Sequence, residues 1–202
     1  MKMKFLVVLM IALLLAFGGI SANANIIQNG TFNTDLSGWT EVGNNTVISG
    51  VAKIGQPGPG GISYIQQEFF LGATTTALDI SFEYTWEITR PSPGADIFIA
   101  SFGLWDGSGW NDVELINQDS NAGVFNSTVS FNELLTIGAF NNSNPNARLT
   151  FSLDETPTPS TVGTRIALDN VSVNPIPEPA AMLLFGIGLL GLAGVSRRKK
   201  QI

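Results

Sequence analysis

Between Phe102 and Asp112 the chain places Trp105, Asp106, Trp110, Asn111 and Asp112 around Gly103, Gly107 and Gly109. Aromatic rings stack on the apolar face of a sugar, and amide or carboxylate groups bind its hydroxyls, so these are the residue types of a polysaccharide contact. The same tryptophans have a plainer use, as plugs at the edge of a hydrophobic core. Asp106, Ser108, Trp110 and Asp112 have the alternate spacing of a calcium loop, but the twelfth position is Asn117 rather than a bidentate glutamate, and the EF-hand pattern fails. Carboxylates elsewhere, Asp154 with Glu155 and the row Asp79, Glu83 and Glu87, are material for the paired acids of glycoside hydrolysis. Spaced along an outward face they more simply make a solubilising surface, and nothing in the sequence encloses one of them so as to raise its pKa.

What is absent narrows the chemistry further. The 202 residues contain no cysteine and no histidine. That removes disulfide frameworks, Cys/His zinc sites, Ser-His-Asp hydrolysis and Cys-His proteolysis together. Between Asn25 and Asn174 four basic side chains stand against fifteen acidic ones, a net charge of −11. Such a body repels phosphate backbones and argues against nucleic-acid binding, while neutral sugars and divalent cations remain natural partners.

The segments that must position these residues alternate with period two. Leu78, Ile80, Phe82, Tyr84, Trp86 and Ile88 share one face, with Asp79, Ser81, Glu83, Thr85 and Glu87 on the other. This predicts a half-buried strand. Ala147 to Asp154 and Ile65 to Leu71 read the same way, and Ile97 to Leu104, apolar on both faces, predicts a more buried strand. Val47 to Ile54, Ser127 to Phe131 and Arg165 to Val173 are further candidates, and a single helical turn is expected at Asn132 to Gly138. In the last strand the inward set changes parity from Ile166 and Leu168 to Val171 and Val173, which predicts a bulge at Asp169 and Asn170. One-sided strands need a second sheet over their apolar face, so the expected fold is all-β, an antiparallel β-sandwich of roughly eight strands and one domain.

Both ends of the chain differ from this body. Lys2 and Lys4, an apolar stretch from Phe5 to Ile20, and Ala22-Asn23-Ala24 read as a signal peptide over residues 1–24, cut by signal peptidase after Ala24. At the other end Pro177, Glu178 and Pro179 precede 16 apolar residues, Ala180 to Val195, and a basic cluster of Arg197, Arg198, Lys199 and Lys200. As a helix this run is about 24 Å long, short of the roughly 30 Å hydrocarbon core, and it spans only if the cations snorkel and the bilayer thins. Basic residues stay cytoplasmic, so the body should lie on the outer side of the inner membrane.

Residues 175–202, with Pro177, Glu178, Pro179, Arg197 and Arg198 at the marking positions, resemble the PEP-CTERM sorting signal of Gram-negative envelope proteins. That resemblance implies a transmembrane sorting helix, transient inner-membrane anchoring, an exosortase-type enzyme as partner, removal or exchange of the tail, and a setting of exopolysaccharide production. Within the ectodomain, residues 25–174, the opening Ile26-Ile27-Gln28-Asn29-Gly30-Thr31-Phe32 with Gly38-Trp39, and the closing Leu168-Asp169-Asn170-Val171, resemble the frame of jelly-roll carbohydrate-binding modules and their galactose-binding-like relatives. The resemblance implies adjacent end strands and a structural calcium, here with Asn33 and Asp169 as ligands; Asn33 stands where a glutamate is usual. Asp169 and Asn170 equally suit the satisfaction of backbone groups at a bulge. The expectation is thus an exported, non-enzymatic envelope or extracellular-matrix protein whose sandwich binds polysaccharide through Trp105, Asp106, Trp110, Asn111 and Asp112. The alternative is a secreted glycoside-active enzyme with a carboxylate pair.

Overall fold

A computed structural model describes residues 24–55, 61–88, 96–121, 125–138, 140–155 and 164–177. Residues 1–23 of the expected signal peptide, Glu178, Pro179, the apolar run from residue 180, and Arg197 and Arg198 lie outside the described residues. Among the described residues no helix is long and apolar enough to cross a membrane.

Ten strands follow one another: β1 (Thr40–Val42), β2 (Asn45–Ile48), β3 (Val51–Ile54), β4 (Ile62–Phe69), β5 (Thr75–Ile88), β6 (Ile97–Trp105), β7 (Trp110–Asp119), β8 (Thr128–Thr136), β9 (Ala147–Asp154) and β10 (Thr164–Pro177). They form two five-stranded sheets, one in the order β1-β4-β9-β6-β7 and the other β2-β3-β10-β5-β8, with every strand pair antiparallel. The apolar rows read from the sequence face inward. Leu78, Ile80, Phe82, Tyr84 and Trp86 of β5 are buried, opposite Leu149, Phe151 and Leu153 of β9 and Phe98, Ala100 and Phe102 of β6. Phe82 meets Phe151 edge-on at 4.9 Å, which joins the two sheets through aromatic packing.

The expected bulge is present, and its position explains its purpose. The register of β10 against β5 slips between Asp169 and Ser172, and Asn170 adopts φ 54°. Before the bulge β10 pairs with β3 through Ile166, Ala167 and Leu168. Beyond it the partner is the opening segment: Ile26 N–H donates to Val173 C=O at 3.0 Å, and Val171 N–H to Gly30 C=O at 2.9 Å. Asn25 completes the join, its Oδ1 accepting from the N–H groups of Ile27 and Val173, each at 3.0 Å. A Cβ at Gly30 would lie 2.1 Å from Val171 C=O, so only glycine lets the two motifs approach so closely. The opening and closing motifs do lie side by side.

Three expectations are corrected. There are ten strands rather than about eight, because the stretch read as Val47 to Ile54 is a hairpin, β2 and β3, and because β1 and β7 were not read as strands. An edge position and a register slip hide β7: its residues 111–114 are exposed, and Leu115 sits in the irregularity opposite Ala100 and Ser101. The turn expected at Asn132 to Gly138 is the end of β8, another edge strand, where adjacent Leu134 and Leu135 break the period-two pattern.

On the outer face of the second sheet, Glu87 of β5 bonds Lys53 Nζ of β3 at 2.7 Å and Arg165 Nε of β10. Burial pushes the Glu87 carboxyl up, but its bonds and charge attraction to Lys53 and Arg165 together outweigh burial and hold it below the ordinary glutamate value. A carboxylate depressed in the folded state stabilises the fold above its unfolded pKa, and that stability is lost as pH falls through the folded value. Glu87→Gln is therefore expected to melt lower than wild type at pH 7, with the gap closing on acidification below about pH 4. Thermal melts of both proteins between pH 7 and pH 3 check this; a gap independent of pH would contradict it.

Candidate functional site

The hairpin of β6 and β7 closes on the cross-strand pair Trp105 and Trp110. Its turn is held by Asp106, whose Oδ1 accepts from Ser108 Oγ and Ser108 N–H, each at 2.7 Å, and from Gly109 N–H at 2.9 Å, while Oδ2 accepts from Asn111 Nδ2 at 3.1 Å. Led by the Ser108 hydroxyl, these donors hold the Asp106 carboxyl far below the usual carboxylate range. Gly107, at φ 103°, takes the left-handed position of the turn. Asp106 and Asn111 therefore build the turn that presents the tryptophans. The two rings meet edge to face at 5.5 Å, both half-buried.

Asp112 continues the site across the sheet. It faces Gly103 of β6, which faces Arg148 of β9, so the three lie in one row. Arg148 crosses the glycine to make a forked bond with Asp112, Nε to Oδ1 at 3.1 Å and Nη2 to Oδ2 at 2.6 Å. A Cβ at Gly103 would lie 2.2 Å from Asp112 Oδ1 and 3.0 Å from the Arg148 side chain, so the missing side chain makes room for the pair. The guanidinium also lies 4.6 Å from the centre of the Trp110 ring. The next rows repeat the pattern: Gln66 of β4, Thr150, Ser101 and Glu114 are in register, then Tyr64, Ser152, Ile99 and Asn117. Thr150 Oγ1 donates to Gln66 Oε1 at 3.3 Å. Apart from Gly103 and Ile99, the rows named on the outer face of the first sheet are hydrogen-bonding side chains, a four-strand platform with an aromatic pair at its head.

Trp105, Asp106, Trp110, Asn111 and Asp112 all stand at one end of the sandwich. The sequence alone does not point to Arg148, Gln66, Thr150 and Tyr64 as site residues, because their neighbours are set by strand pairing. The one local signal was Gly103 itself, a glycine inside an apolar strand, which marks a close approach.

Asn33 and Asp169 have other company. Asn33 is exposed, its Nδ2 donating to Thr31 Oγ1 at 3.0 Å, and Asp169 Oδ1 accepts from Asn170 N–H at 2.8 Å in the bulge. A carboxylate and an amide oxygen are hard donors of the kind calcium takes, but the contacts described for Asn33 and Asp169, with Thr31 and Asn170, do not join the two side chains. Among the described residues no three acidic side chains gather at a point.

A concavity of about 430 Å³ lies on the outer face of the other sheet, over Lys53, Glu83, Glu87, Thr128 and Asp169. Ion pairs close its centre, and Asn170 Nδ2 bonds Glu83 Oε2 at 2.9 Å. Glu87, held ionised, is the opposite of the raised acid that glycoside hydrolysis needs. Asp154 sits in the outward row of β9, whereas Glu155 is buried.

Residues 175–199 match the family model of the PEP-CTERM protein-sorting motif. No curated protein matches the chain. Solved structures similar to the sandwich include a CBM4 module, at 13% identity and TM-score 0.51 over 72% of this chain and 100% of that one. The N-terminal cellulose-binding domain of Cellulomonas fimi β-1,4-glucanase C aligns at 15% identity and TM-score 0.51, over 77% of this chain and 99% of its own. The CBM22-1 xylan-binding domain of Paenibacillus barcinonensis Xyn10C aligns at 8% identity and TM-score 0.53, over 79% and 99%. At these identities the likeness is one of fold.

Proposed function

We propose that this chain, which carries a PEP-CTERM sorting motif behind a sandwich like that of carbohydrate-binding modules, is a non-enzymatic envelope or matrix protein that binds polysaccharide on its first sheet. It is exported by its N-terminal signal, held briefly in the inner membrane by residues 180–195, and handed on by an exosortase-type enzyme. The observation that carries the binding half is the Trp105 and Trp110 pair at the head of the Arg148, Thr150 and Gln66 rows. Trp110 has one neighbour in Trp105 and another in the Arg148 guanidinium, so a sugar ring would use what those two leave uncovered, with hydroxyls bonding along the rows. The fold of modules whose names include cellulose-binding and xylan-binding supports a neutral β-linked glycan as first choice.

The test is retention on a panel of neutral and acidic polysaccharides, including the exopolysaccharide of the producing cells. Trp105→Ala and Trp110→Ala are each expected to weaken retention about tenfold, the effect of losing about 1.4 kcal/mol of contact. Retention of nothing on the panel, or indifference to both changes, sinks the reading; release of reducing sugar would favour the glycosidase instead. The sorting half is checked by the intact mass of the released protein from cells with and without the sorting enzyme. The mature chain is expected to begin at Asn25 and to lack the apolar tail only when the enzyme is present.

A further inference from the structure

The sorting motif does not hang from a linker. Its first residues, Pro175, Ile176 and Pro177, are the last rungs of β10 and pair with Leu78, Ala77 and Thr75 of β5. The apolar run begins at Ala180, three residues beyond Pro177, which leaves at most about 11 Å of extended chain between fold and membrane segment. The end of the sandwich from which Pro177 departs is therefore held against the membrane surface for as long as the tail is inserted.

That end can be traced from bond to bond. Thr75 N–H donates to Gly72 C=O at 2.9 Å, and Leu71 is clamped by the Asn146 amide, N–H to Oδ1 at 2.7 Å and Nδ2 to C=O at 3.0 Å. Asn146 C=O in turn accepts from Trp105 N–H at 3.0 Å, and Trp105 C=O from Asn141 N–H at 2.9 Å. Pro177 and the tryptophan hairpin thus belong to one pole. The chain start belongs there as well: Ile26 pairs with Val173 while Gly30 pairs with Val171, so residues before Ile26 run alongside residues after Val173. The described chain thus both begins and ends at this pole.

The same pole carries apolar surface. Phe70 is 45% and Leu134 63% exposed, and Phe140, Trp105 and Trp110 are half-buried there, with the ion-paired Asp112 and Arg148 beside them. Aromatic and aliphatic side chains mixed with a few polar groups suit the lipid–water interface, where tryptophan is enriched. A body carrying −11 favours zwitterionic over anionic headgroups.

We propose that this pole, led by Trp105 and Trp110, docks on the zwitterionic phospholipid interface while the tail is inserted, and comes free when the tail is removed. The inference rests on the anchoring half of the proposed function and not on polysaccharide binding. On release the same rings pass from lipid to solvent, so sorting also uncovers the head of the platform.

The experiment uses the chain as it stands after signal removal, residues 25–202, reconstituted in phosphatidylcholine vesicles with bromine at shallow acyl positions and read by tryptophan emission. Trp39 and Trp86 are buried at 7% and 0% exposure and serve as the unquenched background. The protein is expected to float with the vesicles and to be quenched, and the W105F/W110F double variant to float equally but lose most of the quenching. Because that variant alters the hairpin, a second one inserts about ten Gly/Ser residues after Pro177, adding roughly 17 Å of root-mean-square reach and leaving the sandwich untouched. It too is expected to float and lose the quenching. Floated wild type that is unquenched, or quenching that survives the insertion, overturns the docking; failure to float overturns the anchoring and the docking with it.

Discussion

Trp39→Ala is expected to lower the stability of the sandwich by about 3–5 kcal/mol, the cost of removing a buried large aromatic, in a fold of this size that stands only about 5–15 kcal/mol above its unfolded state. Trp39 is 7% exposed and lies between the Phe32 ring at 5.5 Å and the Phe151 ring of β9 at 6.1 Å. Its Nε1 donates to Asn29 C=O at 3.3 Å, and its backbone N–H closes a turn on Leu36 C=O at 2.9 Å. Asn29 Nδ2 bonds Asp35 C=O at 2.8 Å and Ser37 C=O at 3.1 Å, so the indole, the opening loop and the join to β10 form one unit. Losing the ring leaves a cavity at the heart of that unit. Trp39→Phe keeps most of the filling volume and loses the hydrogen bond, and about 1–2 kcal/mol is expected. Urea unfolding of the three proteins decides; equal midpoints for Ala and Phe would show that volume is not the cause.

Asn146→Ala is the second large effect, about 2–4 kcal/mol, for a different reason. Asn146 is fully buried, as is Leu71, and its amide is the partner of both Leu71 main-chain groups. Removing it leaves a buried N–H and a buried C=O without partners, each costing about 1–3 kcal/mol. Asn146→Asp keeps the acceptor for Leu71 N–H but turns an oxygen toward Leu71 C=O, so it is not expected to rescue. The damage should also reach the site, because Trp105 N–H bonds Asn146 C=O. The measurement is paired: the urea midpoint reads stability, and the near-ultraviolet circular dichroism of the coupled Trp105 and Trp110 rings reads the pole. A stability loss with the aromatic signal unchanged would separate the clamp from the hairpin. Gln67 does the same work at the opening segment, its amide taking Gln28 N–H at 2.7 Å and giving to Gln28 C=O at 2.9 Å. Both are side-chain amides standing in for strand pairing where the backbone has no neighbouring strand.

The sorting motif and the fold class are legible in local features. Clean alternation over Leu78 to Trp86 and Ala147 to Leu153 identifies strands buried on one face, since burial on one side of a pleat imposes period two whatever the rest of the chain does. The parity change between Leu168 and Val171 located the bulge for the same reason. Edge strands escaped, since β7 and the end of β8 meet solvent on most positions and carry no such pattern. Residue type and spacing mark Asp106 and Asn111 as ligand groups, and the structure adds that both also hold the turn, a bond pattern no residue type reveals.

The sequence by itself determined that this chain is an acidic, cysteine-free β-sandwich carrying a sorting motif at its end, because composition, periodicity and a contiguous motif are properties of neighbouring residues. Only the tertiary structure decided which side chains keep company. Arg148 meets Asp112 across Gly103, and Asn146 meets Leu71 from 75 residues away, because strand order and register bring them together and no local pattern encodes either. The start of the sorting motif inside β10, at the pole of Trp105 and Trp110, is of the same kind, a product of pairing between segments far apart in the chain.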